Sequence, residues 1–565
     1  MKKKLFLYMI VAASILGSGI FSAALAQIST TERAALIDLY NSTDGDNWND
    51  NSGWKTLPLD EDGFAMPGTE GSWYGVLVES DSVIELNLPS NALNGNVPFS
   101  LSNLLSLSKL DLNFNNLSSI SFGIGNIVNL TIIGLNGNSL TVIPSEIGNL
   151  INLVELDLGS NKLKSIPSEI GNLVNLTLIR LHRNDLSVIP PEIGNLINLE
   201  TLTLFDNNLT TIPDTIGKLV KLRELYLDSN GFTSFPVIID NLSNLETLSL
   251  KDNNIDTIPA EVGNLIKMIE LNLSQNQIQN IPPDIQNLTA LVMLDLSINE
   301  ITDIPPEIQY LSNLESLNLG QNYILNIPSE FWELTDLVEL NLCNNQLSYI
   351  SPDIGKFTKL ETLNLTHNQL KNLPAEIGNL ANLKYLNLGY NQLTDLPGEL
   401  MNLTSLLGGD IKYNRLCPTN PQLIVFLDEK FPNWELSQSI LPKNIAVGTR
   451  TSTSILLFWE AVPYPDHYWG GGYEIFYSQT AGGPYTLYEK TQNKYVENML
   501  ITELTPSTVY YFVIRTFTVE HTYAMDIYHY SEFSDEISAE TLASDDDNDG
   551  GDSGLGCFIA SISSQ

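Results

Sequence analysis

The sequence predicts an α/β solenoid with one curved parallel β-sheet, followed by an all-β sandwich. Asparagine recurs every 23 residues from position 115 to position 414, and Asn91 precedes the series by 24 residues. Each asparagine closes a phrase centred on Leu-x-Leu, an alternation typical of a short half-buried strand. After about residue 437 the period stops, and short strands between turn signals begin. A strict period over this length means that each coil packs only on its neighbours.

Each coil has a strand half and a second half of different character. Residues 153–163, LVELDLGSNKL, typify the strand half, with Asn161 where the strand turns away. An amide donates and accepts, so a ladder of these asparagines is expected to satisfy turn backbone groups in the stacked coils. The second half begins with Ile143-Pro144 and its equivalents. Because proline cannot donate to a central ladder, this arm is predicted to be a turn with a short helical or 3₁₀ piece.

These residues closely resemble the leucine-rich repeat family, in its 23-residue form with an Ile-Pro arm. The resemblance covers about residues 83–416. It implies a curved horseshoe that carries its sheet on the concave face. Members of this family generally serve protein–protein interaction, so the resemblance also implies a binding role.

Both ends of the solenoid are predicted to be capped, as a repeat stack requires. Residues 27–82 resemble the N-terminal cap of extracellular leucine-rich repeat proteins, with a helix followed by a plug of tryptophans at 48, 54 and 73. No cysteine lies near this cap, so a cap disulfide is excluded. Residues 417–437 resemble the C-terminal cap of bacterial members, with a closing helix predicted over 421–434.

The last domain is predicted over residues 440–543. Residues 454–459 and 472–477 are predicted strands, and residues 504–514 alternate with period two. Trp459, the Tyr473 strand and the Leu-x-Pro-x-Thr-x-Tyr phrase resemble a fibronectin type III domain. In that family Tyr510 would be the tyrosine-corner residue, its hydroxyl bonded to the backbone.

Residues 544–565 are predicted to be an acidic linker followed by a candidate sorting tail. Asp545, Asp547 and Asp549 imitate the start of a calcium loop, but Gly556 stands where that loop needs a bidentate Glu, so a plain spacer is favoured. The phrase around Cys557, Gly-Cys-Phe-Ile-Ala, resembles a bacterial C-terminal sorting segment. A truncated signal and an accidental match both remain open.

The N-terminus predicts a secretory signal peptide over residues 1–26. Lysines at 2–4 precede an apolar stretch, and Ala-Leu-Ala offers a cleavage site before Gln27. No later stretch reaches 18 apolar residues, so the mature chain is not expected to be transmembrane. The expected location is secreted or extracellular, with association at the cell surface as one form of it.

Charge and cysteine content exclude several classes of partner and scaffold. The net charge is 27 − 66 = −39, which repels nucleic acid and anionic membrane surfaces. Three cysteines in 565 residues give no disulfide framework, and no bridge is expected among them. Acidity of this kind more often supports solubility than a defined partner.

Candidate binding residues lie where the strand face should be, at positions six, four, two and one before each asparagine. Eleven acidic residues stand there against five basic ones. One cluster departs from this acidity, and a second lies near the C-terminal end. Aromatic side chains beside arginine are typical of binding hot spots, whereas free variation of a solenoid face is the alternative. The first cluster is Arg180, His182, Arg183, Phe205 and Tyr226; the second is Tyr385, Tyr390, Lys412 and Tyr413.

Two predicted loops of the sandwich, within 464–471 and 520–530, hold three of the five histidines of the chain. Such loops are expected at one end of the sandwich, where they resemble a paratope. The alternative is a loop cluster that packs on itself or on the repeat cap. A metal site from His467, His521, Asp526 and His529 is disfavoured, because the spacing matches no standard ligand pattern. The candidate binding residues are His467, Tyr468, Trp469, Tyr523, Tyr528 and His529.

No catalytic signature is present, so an enzyme, a cofactor and a metal are not expected. The leading prediction is a secreted or surface-displayed protein that binds a protein or peptide ligand through its concave face, with the fibronectin-like module as a spacer or second contact. The alternative is a carbohydrate-binding adhesin for cell-wall or host glycans, which a contiguous row of stacking aromatic side chains would favour. The gap in that row between Tyr226 and Tyr385 counts against it. An enzyme-accessory module would need a partner chain, and the signal peptide disfavours an intracellular scaffold.

Overall fold

The structure is a computed structural model that describes residues 27–462, 470–521 and 526–544. The predicted signal peptide and nearly all of the acidic tail, with Cys557, lie outside these residues. The chain divides into two compact units, one ending at Leu222 and the other beginning at Arg223. In the part of the chain that is described, no helix is both long enough and apolar enough to span a membrane.

The first unit opens with an α-helix and continues into short strands. Helix α1 (Thr30–Ser42) begins at Ser29, whose hydroxyl accepts from the Glu32 amide while the Glu32 carboxylate accepts from the Ser29 amide. The strands are β1 (Val76–Glu79), β2 (Ser82–Asn87), β3 (Asn94–Val97), β4 (Lys109–Asp111), β5 (Asn116–Ile120), β6 (Ile132–Gly134), β7 (Glu155–Asp157), β8 (Leu178–Arg180) and β9 (Thr201–Thr203).

These strands form one main sheet in chain order. β1 pairs antiparallel with β2, and β2, β4, β6, β7, β8 and β9 pair in parallel. In the regular coils each residue pairs with the one 23 positions on, as Leu156 does with Ile179 and Ile179 with Leu202. β3 and β5 form a separate parallel pair. The 3₁₀ helices of this unit span Gly45–Asn47, Glu70–Ser72, Phe99–Asn103, Phe122–Asn126, Ser145–Asn149, Ser168–Asn172, Pro191–Asn195 and Asp214–Lys218.

The N-terminal segment is closed by an aromatic core. Trp48, Trp54 and Trp73 are at most 5 % exposed, and the rings of Trp54 and Trp73 lie 4.7 Å apart. Beneath them Arg33 is 6 % exposed and pairs with the buried carboxylate of Glu70 at 2.5 Å. The expected helix and tryptophan plug are therefore confirmed, and the buried apolar rings cover the end of the leucine core.

The second unit continues the parallel sheet pattern and then changes to an antiparallel sandwich. Its first nine strands pair in parallel and in chain order. They are β10 (Glu224–Tyr226), β11 (Thr247–Ser249), β12 (Glu270–Asn272), β13 (Met293–Asp295), β14 (Ser316–Asn318), β15 (Glu339–Asn341), β16 (Thr362–Asn364), β17 (Tyr385–Asn387) and β18 (Gly408–Asp410).

After β18 comes helix α2 (Pro421–Lys430), which Asn420 caps by accepting from the Gln422 and Leu423 amides. This confirms most of the predicted closing helix, which ends before Trp434. The 3₁₀ helices of the unit span Val237–Asn241, Ala260–Asn264, Pro283–Asn287, Pro306–Tyr310, Ser329–Glu333, Pro352–Lys356, Ala375–Asn379, Gly398–Asn402 and Trp434–Ser437.

The asparagine ladder predicted from the sequence is present in both units. Asn253 illustrates it: its side-chain nitrogen donates to the carbonyls of Leu227 and Leu250, at 3.1 and 3.0 Å, and its oxygen accepts from the Phe232 amide at 3.1 Å. One buried amide thus satisfies backbone groups of two successive coils. The proline arm is also as predicted, since a 3₁₀ helix follows directly after residues such as Pro259.

The sandwich consists of eight strands in two sheets. β19, β20 and β23 form one sheet; β22, β21, β24 and β25 form the other, in which β26 also pairs with β24. Tyr473 and Trp459 lie in its core, with ring centroids 5.2 Å apart. The strands are β19 (Lys443–Arg450), β20 (Ile455–Glu460), β21 (Gly471–Ser478), β22 (Thr486–Lys490), β23 (Asn498–Ile501), β24 (Val509–His521), β25 (Asp526–Tyr530) and β26 (Ile537–Glu540).

The tyrosine corner implied by the family resemblance is present. The Tyr510 hydroxyl accepts from the Thr505 amide at 2.9 Å and from the Gln479 side-chain amide at 3.2 Å. Tyr510 itself is 2 % exposed, so its ring is part of the core while its hydroxyl ties the turn before β24.

The prediction of a loop over residues 520–530 was wrong. β24 runs to His521 and β25 begins at Asp526, and the two strands pair antiparallel from Phe517 opposite Tyr530 to His521 opposite Asp526. The segment lies between the Tyr510 strand and the last predicted strand, which is why a loop is predicted there. Its Ile-Tyr-His-Tyr sequence suits a strand, and pairing with β24 satisfies its backbone groups.

Candidate ligand-binding surfaces

In the first unit the strands carry the candidate binding positions on one face and the buried leucines on the other. Leucine and isoleucine three and five positions before each ladder asparagine are buried, as Leu156 and Leu158 are in one coil. The residues four and six before it line an open depression of about 230 Å³, which includes Asp157 and Glu155. The alternation of the strand therefore sends the variable residues outward from a constant apolar core.

The residue immediately before each ladder asparagine has a left-handed backbone. Its φ is 53° at Arg183 and 59° at Asp206 in the first unit, and 55° at His367 and 57° at Tyr390 in the second. The strand has ended at this point, so these residues belong to the turn that follows it. The sequence predicted that this position could bind a ligand, but it did not predict the left-handed backbone.

The first cluster of candidate residues is held in a fixed arrangement, and we call Arg180, His182, Arg183 and Phe205 the strand-face patch. The imidazole of His182 stacks on the Phe205 ring, with centroids 4.5 Å apart and planes 14° apart. Its Nδ1 lies 3.3 Å from the Thr203 hydroxyl. On the other side it lies over Gly159, where a Cβ atom would come within 2.3 Å of the ring.

Burial of the His182 ring lowers its pKa below the usual value. Asp157 and Asp206 act in the opposite direction, while Arg183 and Arg180 add to the lowering. Burial is the largest of these causes, because the charged form of the ring loses hydration there.

Both arginines of the strand-face patch have an acidic neighbour. A terminal nitrogen of Arg180 lies 3.6 Å from an oxygen of Asp157, and Nε of Arg183 lies 3.5 Å from an oxygen of Asp206. The Arg183 guanidinium also stands 5.9 Å from the Phe205 ring centroid. The Arg183 side chain is 64 % exposed, so its ion pair with Asp206 contributes little to the stability of the fold. The guanidinium remains accessible to a ligand.

Tyr226, predicted with the first cluster, belongs to the second unit. It ends β10, where it is half-buried, and its surroundings are acidic. Burial, with the charges of Glu224, Glu270 and Asp228, raises the pKa of its hydroxyl. The Asp228 carboxyl accepts from the Ser249 hydroxyl, and burial raises the pKa of that carboxyl as well. Its inclusion in one patch with Phe205 stays a prediction.

The second cluster is divided by the structure. Tyr390 and Tyr413 stack with centroids 4.6 Å apart, and His367 stacks on the other side of Tyr390 at 3.9 Å. His529 of β25 then meets Tyr413 at 4.6 Å. Tyr413 is only 9 % exposed, so the expectation that it is an exposed aromatic was wrong: the rings of Tyr390 and His529 pack against it.

Tyr385 and Lys412 do not join this stack. Both are exposed, and Tyr385 is 48 % exposed at the start of β17. Tyr385 is the first residue of β17, and Lys412 directly precedes Tyr413. Their role in binding stays a prediction.

An open cleft of about 610 Å³ lies beside the stacked rings, and we call it the turn-edge cleft. The residues before and after successive ladder asparagines form its floor, and the β25 strand supplies one wall. Among the residues that the structure describes, its lining contains no Asp, Glu, Lys or Arg. The lining residues are Asn322, Tyr323, Asn344, Asn345, Gln346, His367, Asn368, Tyr390, Asn391, Gln392, Tyr413, Ile527 and His529.

Sequence reasoning missed most of this cleft. His367, Tyr390 and Tyr413 stand 23 residues apart at one phase, and that spacing was a usable signal for a row of rings. The part played by His529 had no such signal, because it depends on the packing of β25 against coils more than a hundred positions earlier. Tyr323, Gln346 and Gln392 were likewise not singled out.

Of the sandwich candidates, only Tyr528 and His529 can be placed. Both lie in β25, where Tyr528 is 44 % exposed and the Lys490 ammonium stands 5.1 Å from its ring centroid. The other candidates, His467, Tyr468, Trp469 and Tyr523, lie outside the described residues. Within the described residues, no group of three or more His, Cys, Asp or Glu side chains could hold a metal ion. Cys343 and Cys417 are free thiols.

Family models match most of the chain. A leucine-rich repeat region matches residues 86–211, 169–271 and 206–299, and a leucine rich repeat model matches 289–347 and 358–416. A fibronectin type III domain matches residues 441–524. No curated protein is significantly similar to the chain.

Solved structures with the same repeat architecture come from several sources. A leucine-rich repeat protein of Leptospira interrogans is 38 % identical, with 59 % of this chain and 84 % of that chain covered and a TM-score of 0.56. The PEPR1–AtPEP1 structure is 26 % identical, with 73 % and 56 % covered and a TM-score of 0.55. The functional domain of InlJ from Listeria monocytogenes, at 19 % identity, 80 % and 93 % coverage and a TM-score of 0.58, shares the fold.

Proposed function

Because the chain belongs to the leucine-rich repeat family and carries a C-terminal fibronectin type III domain, we propose that it binds a protein or peptide ligand on the strand face of its repeats. The strand-face patch is the centre of this interaction. The protein acts outside the cell, secreted or held at the cell surface, and the fibronectin type III domain serves as a spacer or second contact.

The observation that carries this proposal is the pre-formed position of His182. Its ring is stacked on Phe205 and seated over Gly159, and its Nε2 lies 3.4 Å from the Asn136 amide. A ligand that binds against this ring would not lose affinity by restricting the ring's motion. Pre-organised aromatic surface of this kind raises affinity, because the entropy of ordering the side chain is already lost in the free protein.

The charges around the rings suit a polypeptide. Arg180 and Arg183 alternate with Asp157 and Asp206 around the stacked rings of His182 and Phe205. A protein surface can oppose such a pattern with its own acidic and basic side chains, whereas a uniformly charged polymer cannot. The chain's charge of −39 also opposes polyanions. In the PEPR1–AtPEP1 structure a chain similar to this one is paired with AtPEP1.

Selection from a displayed peptide library tests the binding role. The wild-type protein would be used as bait, and each selected peptide titrated against the double variant R180A/R183A. We expect affinity to fall about tenfold or more, since both cations border the rings. The double variant K162A/K164A is the control: it removes the same charge from exposed positions that lie beyond the turn of one coil.

Two results of that selection would oppose the proposal. One is equal loss of affinity in R180A/R183A and K162A/K164A, which would make the effect one of net charge. The other is unchanged affinity in R180A/R183A for every selected peptide. Thermal unfolding of each variant is measured alongside, and we expect it to stay near that of the wild type because both arginine pairs are partly exposed.

The location is tested by fractionating the native host. Antibody detection in the washed cell surface or the medium, with a mature N-terminus at Gln27 by mass spectrometry, is the expected result. Recovery only from the cytosol, with residues 1–26 still attached, would contradict it.

A further inference from the structure

We propose that the turn-edge cleft is a second binding site, and that its ligand is a neutral oligosaccharide. This proposal goes beyond the protein or peptide ligand of the strand face and is independent of it. It rests on the second unit alone, where repeat coils and the β24–β25 hairpin meet.

The first argument is charge. The chain carries 66 acidic and 27 basic side chains, yet the described lining of the turn-edge cleft contains none of either. An ionic ligand would lose hydration on entering the cleft without gaining a counter-charge there. The cleft therefore selects for a ligand that is polar but neutral.

The second argument is the supply of amides. Asn344, Gln346 and Gln392 line the cleft, and their side chains have no hydrogen-bond partner among the residues that the structure describes. Each carboxamide offers two donors and one acceptor oxygen. A pair of neighbouring sugar hydroxyls can donate to one such group and accept from it at once, so the chemistry of the lining matches a polyol.

The third argument separates a glycan from a peptide that binds as an added strand. A peptide of that kind needs unpaired backbone groups on the protein. Here the backbone amides of Asn344, Asn345 and Gln346 already donate to Thr366, His367 and Ile324 carbonyls, at 2.8, 3.2 and 2.9 Å. The hydrogen bonds that the cleft can offer therefore come from its side chains, which recur from one coil to the next.

The fourth argument is the aromatic wall. His367, Tyr390, Tyr413 and His529 pack ring on ring, which fixes their edges along the cleft, and Tyr323 contributes a ring that is 52 % exposed. Sugar rings have apolar C–H faces that can pack on the exposed ring of Tyr323 and against the edges of the stacked rings, while their hydroxyls meet the amides. The volume of about 610 Å³ lies within the roughly 300–1,000 Å³ typical of ligand pockets.

The wall of the cleft is also held in place. Arg415 donates to the carboxylate of Glu532, just beyond β25, at 2.7 Å. It also donates to the carbonyl of Tyr530, the last residue of β25, at 3.4 Å. The Ser439 hydroxyl donates to the His529 carbonyl at 3.1 Å. These bonds tie the end of β25 to Arg415 of the last coil and to Ser439 beyond the C-terminal cap, so the cleft exists before a ligand arrives.

The test is a glycan array probed with the wild-type protein. The array carries neutral oligosaccharides of glucose, galactose, mannose and N-acetylglucosamine, with sialylated and sulfated glycans and a peptide array beside them. Hits are titrated against the double variant Q346A/Q392A and against the control N254A/Q277A, which changes exposed residues of the same phase in distant coils. We expect binding of neutral glycans, about tenfold weakening in Q346A/Q392A, and no change in the control.

A second variant controls for the possibility that Q346A/Q392A loses binding because it misfolds. Gln346→Glu keeps the shape of the side chain, removes its two donors and adds a charge, and it is expected to weaken neutral-glycan binding as well. Absence of neutral-glycan binding, exclusive binding of charged glycans or of peptides, or neutral-glycan binding that Q346A/Q392A and Gln346→Glu leave unchanged would each overturn the proposal. R180A/R183A should leave glycan binding intact, which distinguishes failure at the strand face from failure here.

Discussion

At the position just before the ladder asparagine, the first unit carries Arg183 and Asp206, whereas the second carries His367, Tyr390 and Tyr413. All five share a left-handed backbone with φ from 53° to 59°. At this turn position, Arg183 of the strand-face patch and the rings of the turn-edge cleft therefore differ in side chain and not in backbone. In this repeat the buried leucines and asparagines maintain the coil, which leaves the outward positions open to either charged or uncharged recognition.

The largest effect should follow from breaking what the two regions share. Replacing Asn253 by Ala removes the partner of two carbonyls and of the Phe232 amide, which are all buried. We expect a loss of about 1–3 kcal/mol in the free energy of unfolding, the cost of unsatisfied buried polar groups. Urea titration of Asn253→Ala beside Asn254→Ala measures it. Equal stability of the two variants would show that the ladder contributes nothing.

A gain in stability is expected where the shared left-handed position carries an unsuitable side chain. Ile298 has φ of 56° and is 37 % exposed. A β-branched residue is strained in this region, while asparagine tolerates it. Ile298→Asn should raise the free energy of unfolding by about 1 kcal/mol. Thermal unfolding checks the sign, and a lower midpoint would argue against backbone strain at this phase.

The pre-formed position of His182 can be tested at its seat. Gly159→Ala places a methyl group against the imidazole, so the ring must move away from Phe205. Peptide affinity at the strand-face patch should fall a few-fold, equivalent to about 1 kcal/mol, while glycan binding stays unchanged. Full peptide affinity in this variant would remove the argument from pre-organisation.

The smallest effect is a pH dependence from His182. Burial lowers its pKa in the folded protein, so the unfolded chain binds the proton at a higher pH. Between the folded pKa and the ordinary value near 6.5, stability therefore rises with pH and is lost as pH falls. Proton NMR of the imidazole should give a midpoint below that ordinary value, and His182→Gln should lose this part of the pH dependence. A midpoint above it would contradict burial as the dominant cause.

Much of the fold could be predicted because it repeats. The spacing of Asn253 and its equivalents, the alternation of leucines and the position of each proline are local signals, and the structure confirms the ladder, the strands and the 3₁₀ arms. Tyr510 could be predicted for a similar reason, since its bond to the Thr505 amide spans five residues. Signals of this kind need no knowledge of distant packing.

The turn-edge cleft could not be predicted in the same way. It requires β25 to pair with β24 and then to pack His529 on Tyr413, a contact between residues far apart in the chain. No periodic pattern encodes that contact. The gap between Tyr226 and Tyr385 counted against a row of rings, but the row lies at another phase, from His367 to Tyr413, where the rings stack directly.

The position of the His182 ring over Gly159 was missed because it depends on the side chain that glycine lacks. The sequence identified Arg180, His182 and Phe205 as candidates, but not Gly159, which lies one coil earlier in the neighbouring strand position. Only the direction of the imidazole reveals that the missing Cβ makes room for it. Side-chain direction across strands is the information that a period alone lacks.

The most direct measurement of the central claim is a crossed titration of two ligands against two variants. A selected peptide and a neutral oligosaccharide hit would each be titrated into R180A/R183A and into Q346A/Q392A. If the two regions are separate sites, each variant weakens one ligand about tenfold and leaves the other unchanged. Loss of both ligands in either variant, or of neither in both, would contradict the assignment of distinct chemistry to the two regions.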